Sequence, residues 1–94
     1  MVGTILKLTK HAEIKLQQRG IPINLIKKVV TKPEMILRDN FDPTLVHFIG
    51  KIENKFLRII GRWQDKNTLL IITAFVDRRI TLKKGVIKND KNNL

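Results

Sequence analysis

The Lys32-Pro33 step divides this chain into two stretches of opposite periodicity, and a fold has to accommodate both. Proline cannot continue a helix, and it pushes the residue before it into extended backbone. Upstream, Thr9 precedes a run of good helix formers, Lys10 to Arg19, and Gly20 follows it. An N-cap residue at one end and a glycine at the other predict a helix there. Pro22 suits the first turn of a second helix, in which Ile23, Ile26, Val29 and Val30 recur at three- and four-residue steps until Pro33. The two helices form a hairpin, and Thr4 to Leu8 before them could be a short strand.

Downstream of Pro33 the sequence turns to β-branched and aromatic runs broken by turn residues. Four strands are expected, Glu34–Arg38, Leu45–Ile52, Lys55–Trp63 and Thr68–Val76. Their short links require antiparallel neighbours, because a parallel pair needs a crossover of about a dozen residues or more. The expected fold is α+β, with the hairpin packed on a four-stranded antiparallel sheet. Residues 1–82 make one domain, and the polar, Lys-rich segment 83–94 is expected to fray.

Composition narrows the function. There is no cysteine, which removes disulfides and thiolate metal sites, and no serine, which removes a serine nucleophile. With two histidines and no clustered carboxylates, neither a metal site nor a cofactor is expected. No run approaches the ~20 apolar residues of a membrane span, so a cytoplasmic protein without a membrane partner is expected. Nineteen Lys and Arg against eight Asp and Glu give a net charge of +11. Residues 83–94 carry four Lys and one Asp, which leaves a net +8 for the rest of the chain. Such a field gathers anions. The competing reading is an ordinary solvated surface in a Lys-rich protein.

Strand alternation sorts the candidate contacts between two faces. One is almost wholly apolar: Val46, Phe48 and Ile52, then Leu57, Ile59 and Trp63, then Leu70, Ile72, Ala74 and Val76. It should receive the helices. The other mixes apolar residues with His47, Lys51, Arg58, Arg62 and Thr73, joined by Arg38. Cations there could take phosphates, and Phe56 or Phe75 could stack on a base. Arg58 and Arg62 could equally be rim residues whose stems cover apolar surface. On the first helix, His11, Lys15 and Arg19 fall at four-residue steps and form one ridge. That ridge offers an acid–base group beside two cations, or it is a solvated stripe with Arg19 capping the helix end.

The residues His11-Ala12, Lys15, Arg19-Gly20-Ile21, Pro33, Leu57-Arg58-Ile59-Ile60, Ile71-Ile72-Thr73-Ala74-Phe75 and Arg78-Arg79 carry a resemblance. Over about residues 9 to 79 the chain resembles domain-of-unknown-function family 4258, which looks like a relative of the RelE/ParE and BrnT toxins. The resemblance implies a RelE-like fold. It also implies a metal-independent endoribonuclease of a toxin–antitoxin pair, acting on RNA with or without the ribosome through the substrate's own 2′-hydroxyl. In that reading His11 is the general acid or base, Arg58 clamps the transition-state charge, and Lys51 and Arg79 anchor phosphates. Lys15, Arg19, His47, Arg62 and Thr73 complete the substrate contacts. The implied partner is an acidic antitoxin, and a homodimer stays open. Two other readings stand beside it: a non-catalytic RNA- or DNA-binding module, and a ParE-like inhibitor that binds a protein. The chain has no tyrosine, a departure from many RelE-type nucleases.

Overall fold

The computed structural model describes residues 3–83 and 86–89. Helix α1 spans Lys10–Arg19, and the Thr9 hydroxyl accepts from the Ala12 amide at 3.0 Å. Gly20 ends it at φ 66°, in the left-handed region that favours glycine. Helix α2, Ile23–Thr31, starts after Pro22 in extended backbone. Four strands follow: β2 (Met35–Arg38), β3 (Leu45–Ile52), β4 (Lys55–Trp63) and β5 (Thr68–Val76). They form the antiparallel meander that the short links required.

The expectation of a four-stranded antiparallel sheet needs one correction. Strand β1, Ile5–Leu8, joins the sheet parallel to β5, so the order is β1-β5-β4-β3-β2 and the sheet is mixed. The helical hairpin carries the chain from β1 to β2 at the far edge, and the meander returns it to β5, a connection far longer than a parallel pair demands. Burial gives the reason for the docking: Leu6 and Leu8 pack against the main core beneath α1.

That core lies between the helices and one sheet face. Ala12, Leu16, Ile26 and Val29 meet Phe48, Leu57, Ile59, Leu69, Ile71 and Ala74. The expected face was right for β3 and β4 but out of phase for the first half of β5, where Leu69 and Ile71 point inward in place of Leu70 and Ile72. A bulge causes the shift. Ile60 pairs with Thr73 while Gly61 pairs with Ile71, so Ile72 is an extra residue that reverses the alternation. Gly61 permits it, because a Cβ there would lie 2.9 Å from the Leu70 carbonyl oxygen.

On the opposite face a smaller cluster of Ile49, Phe56 and Ile80 is joined by Met35 and Leu37. Ile80 opens strand β6, Ile80–Lys83, which pairs with β7, Val86–Asn89, as a separate two-stranded ribbon. Part of the expected frayed tail is therefore a strand, and the rest of that segment lies outside the described residues. Among the described residues no helix is long and apolar enough to cross a membrane.

Candidate functional site

The sheet face turned away from the helices carries a continuous polar chain. Antiparallel register places His47 opposite Ile60 and Arg58 opposite Ile49 and Phe75, which sets their side chains on that face. Arg58 donates from Nε to Asp77 Oδ2 at 2.7 Å, and its Nη1 lies 2.7 Å from His47 Nδ1. Arginine has no acceptor, so His47 Nδ1 must accept and Nε2 must carry the ring proton. Nε2 donates to Asp39 Oδ1, also at 2.7 Å. Arg79 closes the other end, with Nε on Asp77 Oδ1 and Nη2 on Oδ2, both at 2.9 Å. The chain reads Asp39, His47, Arg58, Asp77, Arg79.

Burial of Asp77 by itself would push its carboxyl up. The side chain and amide of Arg79, with Arg58, outweigh that and hold it well below the usual carboxylate range. Asp39 is also depressed, first by the amides of Asp42 and Phe41 and then by His47. The Asp77 carboxylate raises Arg79 in return.

Two sequence-based expectations change here. Arg58 was read as the clamp on a transition-state charge or as an exposed rim residue; the residue is 5 % exposed and its guanidinium is paired with Asp77. Its Nη2 is buried with no hydrogen-bond partner. Arg38 was grouped with this face, but it pairs with Val46, whose side chain packs on the helix-side core. Cross-strand partners share a face, so Arg38 belongs to the helix side.

Of the helix ridge, Arg19 alone has a hydrogen bond to the sheet among the described residues. Strand β1 ends opposite Ile71, which leaves the second half of β5 as a free edge. Arg19 Nη1 reaches over that edge to the Ala74 carbonyl at 2.8 Å and the Thr73 hydroxyl at 3.3 Å. His11 is exposed in the first turn of α1, about 12 Å along the axis from Arg19 at ~1.5 Å per residue. Lys15 is half-buried between them.

The arginines around the face stand on three separate elements. Arg62, 45 % exposed, donates from Nε to Thr44 at 3.0 Å and lies 3.5 Å from Asp42. Arg79 is 44 % exposed. Together with Arg19 they surround Arg58 and His47, so six of the nine expected site residues, Thr73 included, gather at one face.

A family model described as a domain of unknown function, DUF4258, matches residues 8–76. The chain belongs to that family. No curated protein and no solved structure matches it. The DUF4258 match covers His47, Arg58 and Thr73 and stops one residue before Asp77, the carboxylate that orders them.

Sequence reasoning missed two features of this DUF4258 domain. Neither Asp39 nor Asp77 was among the expected site residues. The available signal was their placement on opposite flanks of strands that carry His47 and Arg58. Lys51, expected among the catalytic residues, has no bond to the polar chain among the described residues. Register places it opposite Phe56, on the open face as expected, at the end of β3, where it also borders a groove of about 500 Å³ with Lys27, Lys28 and Lys32 of α2 and the segment after it. Among the described residues no group of three or more His, Cys, Asp or Glu stands at metal-holding spacing.

Proposed function

We propose that this protein binds RNA along the open face of its sheet. The reading rests on how Arg19, Arg62 and Arg79 are held. Each is anchored through part of its guanidinium, and each keeps nitrogens without a partner among the described residues: Nε and Nη2 of Arg19, and Nη1 of both Arg62 and Arg79. A guanidinium fixed on one edge presents the other with little entropy left to lose, which favours forked contacts to phosphate. The face by itself is nearly balanced, since Asp39, Asp42 and Asp77 sit among its arginines. The chain's net +11 supplies the long-range attraction, and the arginines supply the local contacts. Half-buried Phe75, opposite Arg58, offers a ring for a base.

Titrating a labelled single-stranded RNA over a salt series tests the reading. Affinity should fall steeply with salt, and Arg19→Ala and Arg62→Ala should each weaken binding while lowering the log–log slope by about one. Salt-independent binding, or variants that bind like the parent, would remove it.

One observation favours a second reading, a toxin-like, metal-independent endoribonuclease. Arg58 Nη2 is a buried cationic donor without an acceptor, a costly state that a phosphoryl oxygen would relieve. His47 does not complete such a centre as it stands, because both ring nitrogens are engaged. His11, exposed on α1, is the other histidine available as an acid–base group. Incubating the protein with mRNA and a chelator, with and without ribosomes, decides the matter. Cleavage that leaves 2′,3′-cyclic phosphate ends and disappears with His11→Ala supports it. Intact RNA in both arms leaves binding as the function.

A further inference from the structure

Among the described residues, a group of lysines outside any salt bridge gathers at a groove beside α2. Lys27 and Lys28 of α2, Lys32 after it and Lys51 at the end of β3 line one groove, with Glu34 as its single acidic residue. None of the four lysines is in a salt bridge among the described residues. Part of this clustering serves the fold, since cations in the last turn of a helix complement its carbonyl end. Four around one concavity exceed that need.

The groove opens at the start of β2, and β2 is an edge strand of the sheet. The Asp39 amide bonds to the Leu45 carbonyl. The two-residue alternation of an antiparallel pair then turns the N–H and C=O groups of Ile36 and Arg38 outward. Ile36 is 56 % exposed. β2 is short and ends on the charged Arg38, but no proline, lysine or bulge interrupts its four residues, Met-Ile-Leu-Arg.

We propose that the groove and the free edge of β2 together dock an extended acidic segment of a partner protein. Its backbone would add a strand to β2 across Ile36 and Arg38, and its carboxylates would meet the four lysines. The lining chooses between polyanions. Half-buried Ile52, beside the core residue Val29, gives the groove an apolar part that suits an aliphatic side chain, whereas no aromatic ring or guanidinium lines it to hold a base. A polypeptide carrying Glu or Asp around Val or Ile fits both halves of the site. The inference stands apart from the RNA reading and uses different residues.

The test uses the full chain and three probes: a blocked peptide of alternating Glu and Val, its Lys and Val counterpart, and a single-stranded RNA. The acidic peptide should bind, the basic one should not, and amide exchange at Ile36 and Arg38 should slow in the complex. Lys28→Glu with Lys32→Glu changes exposed residues but removes cations from the carbonyl end of α2, so a circular-dichroism melt checks that the fold is kept. The pair should cost about tenfold or more in peptide affinity, since like charges then face each other, while RNA affinity falls less. No acidic-peptide binding at millimolar concentration, or binding without protection of Ile36 and Arg38, overturns the proposal. A lysine pair that weakens RNA and spares the peptide would assign the groove to nucleic acid instead. Loss of RNA binding in Arg19→Ala alone bears on the open face and leaves this inference untouched.

Discussion

Asp77 accepts more hydrogen bonds than any other carboxylate among the described residues. Its side chain is 1 % exposed, and it accepts from Arg58 Nε, from Arg79 Nε and Nη2, and from the Arg79 amide. Removing its charge strands Arg58 in the interior, and breaking a buried pair from one side costs about 3–5 kcal/mol. Asp77→Asn should therefore unfold at markedly lower urea concentration than the parent. The pH dependence has a definite sign. The folded-state carboxyl is held below its unfolded value of roughly 3.9, so its contribution is complete above that pH and is lost as pH falls. Parent stability should decline below about pH 4, and the Asp77→Asn curve should be flatter there. Parallel curves for the two proteins would show that Asp77 does not carry the acid sensitivity.

The elements divide by how local their causes are. Helix α1 runs from Lys10 to Arg19 as expected, because Thr9 and Gly20 act within a few residues of themselves. Thr9→Ala should cost about 1 kcal/mol, read as a lower Tm. Strands β3, β4 and β5 also begin and end where turn residues placed them. The phase of β5 was the miss, and Gly61 was the available signal, since an isolated glycine inside a strand often marks a bulge. Its Cβ would press on the neighbouring Leu70 carbonyl, so Gly61→Ala should cost about 1–3 kcal/mol. If Gly61→Ala is as stable as the parent, the bulge does not depend on a missing side chain.

At the scale of the whole molecule, +11 on 94 residues is a self-repelling load. Added salt screens exposed charges and leaves the buried Arg58–Asp77 pair little changed, so Tm should rise between low salt and about 0.15 M NaCl. A fall in Tm over that range would mean that surface ion pairs outweigh the repulsion. The local grammar of this chain was legible without coordinates: caps, prolines and two-residue alternation each act over a few positions, and net charge is a sum that needs no geometry. What the chain alone could not decide is which distant segments share a surface. Parallel β1 beside β5, Arg19 over a strand edge, Asp39 and Arg79 at the two ends of one hydrogen-bonded chain, and Lys51 near the lysines of α2 are contacts across long stretches of sequence. Packing of the core settles them together, and no single residue signals its own partner.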